Sequence, residues 1–343
     1  MNVVKILPYN YSGLTQENYF HVNSGMFPRH CTLILVLSFT GATAYTQTFS
    51  VKEYTRGYYA ANYANDFFVY ADRYFTQGVR HDLVLTAMYK WKITGLLPGH
   101  KGKGNKTYGL SLDQDCFTPR SILNPAFQKG ERPYAGTNFL SFFLVENDLL
   151  TQARLTSKID IGVTGPCVLC GQEQKLIHKS LGQALPVGWE NQIGNGPVLN
   201  YTFNFEKGII AQQWANFNAL TGIRAGTLYD DVSIGFRFCT GKMNNYFLTY
   251  IPFNGRERFQ AYVFAKGMAR FVLYNATLQG RMFGNDAYTL SAKEIERFVL
   301  QYEQGISLVY KKIAIEFSLT RISPEFKHGL YHGWGNCRLY IGF

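Results

Sequence analysis

The feature that most constrains this chain is a two-residue rhythm in its C-terminal half. In Ile313-Ala-Ile315-Glu-Phe317-Ser-Leu319-Thr320 every odd residue is large and apolar, and every even one is small or polar. Tyr201-Thr-Phe203-Asn-Phe205-Glu206 and Val232-Ser-Ile234-Gly-Phe236-Arg-Phe238 repeat the pattern, and Phe298-Val-Leu300-Gln-Tyr302-Glu303 follows it more loosely. Successive side chains of a strand point to opposite faces, so each stretch has one apolar and one polar face. Phe253-Asn-Gly255 and Ser323-Pro324 supply turn-like breaks between such stretches. No run approaches the roughly 18 apolar residues of a membrane-spanning helix, so a helical membrane bundle is excluded. With 24 Tyr and 27 Phe but only 17% charged residues, two classes remain. One is a soluble all-β protein; the other is a transmembrane β-barrel, whose apolar residues are diluted by alternation.

Two features favour the barrel. Arg29-His30 precedes the apolar run Cys31–Phe39, which is followed by Ala42-Thr43-Ala44. A short basic segment, an apolar core and a small-x-small site make an export signal, with cleavage expected after about Ala44. Met26 stands just upstream as an alternative start, which would make residues 1–25 an extension. Cys31 precedes the apolar run, so no lipoprotein anchor is expected. The second feature is the last segment, Cys337-Arg-Leu339-Tyr-Ile341-Gly-Phe343, apolar at alternate positions and ending on Phe. It resembles the C-terminal strand by which bacterial outer-membrane barrels are read by their insertion machinery. The expected organisation is residues 1–44 as extension plus signal peptide and residues 45–343 as one barrel domain. At roughly 25 residues per strand plus connection, that length gives about 12 antiparallel strands. Closure also removes exposed strand edges. A secreted β-sandwich with a fortuitous terminal Phe is the remaining alternative.

The formal net charge is +11. It serves either plain solubility or attraction to an anionic surface such as a phosphorylated lipid or nucleic acid; no basic block interleaved with aromatics occurs, so nucleic acid is not expected as a partner. Five cysteines follow the export signal, at positions 116, 167, 170, 239 and 337. Cys167-Val-Leu-Cys170 has the spacing of a metal or redox pair but lacks a second ligand pair nearby. The expectation is a 167–170 disulfide or two inert thiols.

One stretch breaks the β rhythm. Gln172-Glu-Gln174-Lys-Leu176-Ile177-His178-Lys-Ser-Leu181 has helical spacing, with Gln174 and His178 one turn apart on one face and Gly182 as a cap. A short helix interrupting a barrel belongs in an extracellular loop, where function gathers. Asn65-Asp66 closes the expected first strand, and Asp72-Arg-Tyr-Phe-Thr76-Gln-Gly78 opens the second. Asn, Asp and Thr side chains near one rim offer the hard oxygen donors that Ca²⁺ takes. A histidine poised near neutral pH is a natural activator of water. No G-x-S-x-G nucleophile elbow is present.

Taken in order, Asn65-Asp66, Asp72-x-Tyr-Phe-Thr76-x-Gly78, Gln114-Asp-Cys-Phe117-Thr-Pro119, Arg132-Pro-Tyr-Ala-Gly136, Gly162-Val-x-Gly165-Pro166, Gln174-x-x-x-His178 and Gly188-Trp-x-Asn191-Gln192 resemble the lipid A deacylase family of outer-membrane barrels. The similarity runs from about Tyr58 to Phe343 and includes Tyr274-Asn-Ala-Thr-Leu-Gln-Gly280. It implies a 12-stranded antiparallel barrel in the bacterial outer membrane that removes the 3′-linked acyloxyacyl group of lipid A, or of lipopolysaccharide, with the help of Ca²⁺. It places the active site at the outer rim, between the wall and a helix of an extracellular loop. Asn65, Asp66 and Thr76 match the family's polar pocket, which makes them the expected metal-side residues. His178 matches its catalytic histidine and Gln174 a pocket glutamine. The family's lysine after the Thr-Pro step has no counterpart; the nearest cations are Arg120 and Lys129. A monomer is expected. A catalytically silent barrel, acting as a pore or structural protein, is the alternative, and it requires a polar, water-filled lumen.

N-terminal sequencing of protein extracted from the membrane is expected to start at about Tyr45. A start at Met1 or Met26 would show that the leader is retained.

Overall fold

A computed structural model describes residues 57–69, 73–99, 104–212, 214–248, 250–255 and 257–343. The expected export signal and cleavage site, and Asp72 of the second motif, lie outside the described residues. The described residues form a closed barrel of 12 antiparallel strands, each paired with its sequence neighbours, with the first closing on the last. The strands are β1 (Gly57–Asn65), β2 (Tyr74–Leu85), β3 (Asn105–Thr118), β4 (Ala135–Asp148), β5 (Ala153–Thr164) and β6 (Gly196–Ala211), then β7 (Ala215–Gly226), β8 (Tyr229–Lys242), β9 (Phe259–Asn275), β10 (Phe298–Tyr310), β11 (Ile313–Ile322) and β12 (His332–Gly342). Helix α1 (Cys170–Ser180) lies between β5 and β6, and a single turn, α2 (Ala276–Gln279), follows β9. The strand count and the loop helix expected from the sequence are both present.

The two-residue rhythm has the meaning that alternation gives it. In β11, Ile313, Ile315, Phe317 and Leu319 are exposed on the outer wall, while Ala314, Ser318 and Thr320 are buried in the lumen. β10 repeats this, with Phe298, Leu300, Tyr302, Ile306 and Leu308 outside. An outward apolar band of this kind suits a hydrocarbon surround. Within it no backbone N–H or C=O can turn to water, and a closed ladder satisfies them all. The seam is the β1–β12 pairing, in register from Tyr58 opposite Gly342 to Asn65 opposite Gly335.

Polar groups point inward and pair there. Arg80 contacts Asp82 at 2.8 Å and Asp113 at 3.5 Å. Lys158 meets Asp160 at 2.9 Å, and Ser141 donates to the same carboxylate at 2.6 Å. Arg224 is bonded to Asp231 through Nε at 2.8 Å. Unpaired charges would be costly inside a membrane-spanning wall, and these arrangements keep each one compensated.

The lumen is occupied at both ends. Near the rim that carries Gly57 and Gly342, the β8–β9 connection inserts Ile251 and Phe253 among Tyr58, Val84, Phe143, Val145 and Val309. Gln260 pins that segment, accepting from the Asn244 backbone at 2.9 Å and donating to the Pro252 carbonyl at 2.8 Å. Arg154 lies 4.0 Å from the Tyr246 ring centroid. At the other rim, Tyr74, Leu278, Leu290, Ile295 and Phe326 form a second apolar cluster. Arg132, fully buried, ties that rim together through Glu325 at 3.1 Å and Thr277 at 2.9 Å. Among the described residues, an apolar cluster thus sits at each end of the lumen.

Planar-bilayer recordings of the purified protein are therefore expected to stay at background conductance. Stable stepwise openings would show that the two apolar clusters do not seal the barrel.

Candidate functional site

Strand direction decides which side of the wall each candidate occupies. In β1, Tyr58, Ala60 and Ala64 are buried inward, so Tyr59, Tyr63 and Asn65 lie on the outer face. Across the register, Gly78 pairs with Asp115 and Val79 with Gln114. Asp115 therefore faces the lumen with Gly78, and Gln77, Gln114 and Cys116 face outward. A bulge between Phe75 and Gln77 leaves Thr76 without a partner on β3. Bulges re-aim side chains at barrel rims. Tyr74, immediately before it, has φ +70°, a conformation that non-glycine residues rarely adopt.

The candidates from β1 and β2 interlock. The Asn65 amide donates to the Thr76 carbonyl at 2.8 Å and to the Tyr63 hydroxyl at 3.0 Å. Its Oδ1 accepts the Phe67 backbone N–H at 2.7 Å. Asp66 starts a short 3-10 turn, Asp66–Val69, is only 3% exposed, and accepts the Arg73 backbone N–H at 2.9 Å. Asp66 and Thr76 are thus buried polar groups at the rim, held by a folded turn.

Helix α1 lies against the outer wall, on β2 to β4. Cys170, Gln174 and His178 recur every four residues and are all buried, whereas Lys175, Leu176 and Lys179 face away. Glu173 is clamped by two outward amides, Gln77 at 3.2 Å and Gln114 at 3.1 Å. Gln114 also donates to the Val168 carbonyl at 3.0 Å. A small apolar cluster outside the barrel, of Cys116, Tyr134, Val168, Cys170 and Trp189, seats the helix. Gly136 of β4 permits the close approach: a Cβ there would stand 3.0 Å from Cys170 Sγ and 3.1 Å from Val168 Cβ. The helix begins two residues before the expected span and is closed as expected at Gly182, which has φ +66°.

The cysteines correct an expectation. The disulfide joins Cys116 of β3 to Cys170 of α1, across 54 residues, and Cys167 is an exposed free thiol. The Cys-x-x-Cys spacing misleads because Cys116 reaches the helix through the outward register of β3. Nothing in the linear sequence marks it as the partner.

The buried face of α1 brings the remaining candidates together. The indole of Trp189 donates to Gln174 Oε1 at 2.8 Å, which fixes the orientation of the amide. Gln174 Nε2 then donates to Thr76 Oγ1 at 3.4 Å, joining helix to bulge. His178, 8% exposed, lies one turn further along the same face. Its Nδ1 is 2.7 Å from the Ala184 carbonyl. A carbonyl only accepts, so Nδ1 carries the hydrogen in this contact, which leaves Nε2 as the other ring nitrogen. Asn65, Thr76 and Gln174 form one bonded chain with His178 on the same helix face. The ring is not turned into bulk solvent.

Motif residues outside this chain divide by side of the wall. Arg132 goes inward to the rim cluster, while Tyr134 goes outward, packs on Trp189 at 4.8 Å between ring centroids and donates to the Val187 carbonyl at 2.6 Å. Arg120 and Lys129 are exposed in the β3–β4 connection at the same rim. Trp189 and Glu173 join the site without being among the expected residues; the sequence signal for Trp189 is its place in a motif beside Asn191 and Gln192, and Glu173 has none.

Among the described residues, no three His, Cys, Asp or Glu side chains gather as metal ligands. Asp66, Asn65 and Thr76 offer hard oxygens with a single carboxylate. That donor chemistry fits Ca²⁺, with carbonyls and water completing six to eight ligands, and does not fit zinc.

A family model described as outer membrane protein LpxR matches residues 31–343. Among solved structures, LpxR from Salmonella typhimurium is 20% identical, covers 83% of this chain and 100% of its own, and superposes with a TM-score of 0.68. The β domain of the Bordetella autotransporter BrkA is 9% identical, with 84% and 100% coverage and a TM-score of 0.41. No curated protein matches the chain.

A Cβ on Gly171 would stand 2.8 Å from Trp189 Cγ. Gly171→Ala is therefore expected to push the indole off Gln174, at a cost of about 1–3 kcal/mol. Hydrogen exchange is the check: amides 170–180 should lose protection while the strands keep theirs.

Proposed function

The chain belongs to the LpxR family of outer membrane proteins, and from that premise we propose that it is a lipid A deacylase, a hydrolase that cleaves an ester-linked acyl group at the outer rim of the barrel. The observation that carries this reading is the stripe Gln174–His178, buried on one face of α1 and bonded through Thr76 to the Asn65 end of the barrel seam. An imidazole whose Nδ1–H is committed to a carbonyl has its base nitrogen defined. The site lies on the outer side of the wall, the side from which a membrane lipid approaches.

In this reading His178 Nε2 takes a proton from a water molecule as the oxygen attacks the ester carbonyl. The Ala184 carbonyl stabilises the imidazolium that results. His178 then returns the proton to the departing sugar 3′-oxygen, giving a free hydroxyl and a carboxylic acid. Gln174, locked by Trp189, fixes the helix on Thr76 and presents an amide N–H to that pocket. Asp66, with Asn65 and Thr76 oxygens, would hold Ca²⁺, which when bound supplies a Lewis acid facing the negative charge on the ester oxygen. No acyl-enzyme is needed, in keeping with the absence of a nucleophile elbow. A lipid carrying phosphates suits the positive rim, where Lys175 and Lys179 on α1, and Arg120 and Lys129 nearby, are exposed. The apolar clusters at the two ends of the lumen favour this reading over the pore alternative.

Mass spectrometry of lipid A from cells expressing the protein tests the reading. Loss of one 3′-linked acyloxyacyl group is expected with the wild type, and a drop of about 10²–10⁴-fold in rate with His178→Ala. Deacylation undiminished in that variant would remove His178 from the role of base.

A one-carboxylate site binds Ca²⁺ weakly, with dissociation constants of about 10⁻⁴–10⁻³ M. A chelator is therefore expected to abolish activity, and millimolar Ca²⁺ to restore it. Full activity in excess chelator would exclude the metal from the mechanism.

A further inference from the structure

We infer that the Cys116–Cys170 disulfide is a positioning device for His178, so that thiol reductants switch off the site without unfolding the barrel. The inference rests on the reading of His178 as the base, and it extends that reading to redox control.

The geometry is a lever. Cys170 is the first residue of α1, and Cys170, Gln174 and His178 lie on one buried stripe. At 1.5 Å per residue, His178 is about 12 Å along the axis from the covalent anchor. Tilting α1 by about 5° about Cys170 therefore moves the ring by about 1 Å, and a displacement of that size can cost about 10²-fold in rate.

The helix is weak in its own right and depends on its attachments to the wall. Eleven residues are too few for a stable isolated helix in water. Its N-cap, Leu169, has φ +68° and supplies no side-chain hydrogen bond. Leu176, in the middle of the helix, is 70% exposed rather than packed. Beside the apolar cluster around Trp189, the side-chain bonds from the helix to the wall include the Glu173 clamp, at 3.1–3.2 Å, and the Gln174–Thr76 bond, at 3.4 Å. These bonds follow the disulfide within one turn, so the covalent link sets the register in which they form. It binds a loop helix to β3, whereas the barrel closes through its own ladders. Reduction by a dithiol balances simply. Two electrons and two protons pass to the bond, giving Cys116 and Cys170 thiols, while the reagent closes to its own disulfide.

The test uses the full mature protein in detergent with lipid A as substrate. Oxidised, dithiothreitol-reduced and reoxidised wild type are compared with Cys116→Ala/Cys170→Ala. The double change is needed because a lone Cys170 thiol would have the exposed Cys167 three residues away. Reduction is expected to lower kcat by about 10²-fold with little change in KM. The folded, unheated gel mobility should persist, amides 170–180 should exchange faster, and reoxidation should restore kcat. The double variant should match the reduced protein and ignore the reagent. Unchanged kcat with both thiols shown free by alkylation and mass measurement would overturn the inference. So would loss of kcat together with loss of the folded band, which would make the disulfide a staple of the fold. Oxidised wild type with no deacylase activity would count against the deacylase reading alone. Helix exchange then decides, and protection of 170–180 that survives reduction would overturn the inference.

Discussion

Closure of the hydrogen-bond ladder between β1 and β12 is the constraint from which the rest of this molecule follows. In a hydrocarbon surround an unpaired strand edge leaves polar groups with no partner, so the sheet must return to itself. Here the returning strand is the shortest, β1, and the seam runs out at Asn65 opposite Gly335. Asn65 is also the residue whose amide holds the Thr76 carbonyl. The last rung of closure and the first side chain of the site are therefore one residue. Directly above it the regular sheet ends in the Asp66 turn and the Thr76 bulge.

The outer wall changes character at that level. Lower down, β1, β2 and β3 present the rung Tyr59, Leu83 and Leu110 outward; toward the rim Gln114 stands opposite Val79, and Asn65 and Gln77 share the next rung. The period of two is kept while the chemistry of the outward position changes. A polar patch on the outside of a lipid-facing wall would be costly left bare. Helix α1 covers it, and the patch in turn supplies the amides that grip Glu173. The site is thus the boundary between two solvents, built by switching residue type on one face.

That logic also explains what the sequence could and could not show. The strands of the C-terminal half were legible because alternation leaves a signal in every pair of residues, and β10 and β11 fall where it was read. The helix was legible from Gln174 and His178 at one-turn spacing. The order of short motifs from Asn65 to Gln192 gave the family. The disulfide was not legible, because what pairs Cys116 with Cys170 is the outward register of β3 and the fall of a loop across the wall. Sequence proximity pointed to Cys167 instead. The plugging of the lumen was hidden for a similar reason. Phe253-Asn-Gly255 reads as a turn, yet Phe253 packs among inward residues of strands far away in sequence.

The blocked lumen and the external helix belong to one arrangement. Acyl chains of a membrane lipid stay in the hydrocarbon layer, so a reacting ester must reach the protein from the side, at the height of the interface. A site in the lumen would need the lipid to pass through the wall. A site on the outer face needs only a ledge that admits water from above and lipid from beside. In the proposed reading His178, bonded to the Ala184 carbonyl and carried by a helix seated on the wall, would supply such a ledge. The interior is then free to be filled with paired charges and apolar plugs. Asn65 and Thr76, bonded to each other at the rim of the barrel, lie beneath the helix through the Gln174 bond.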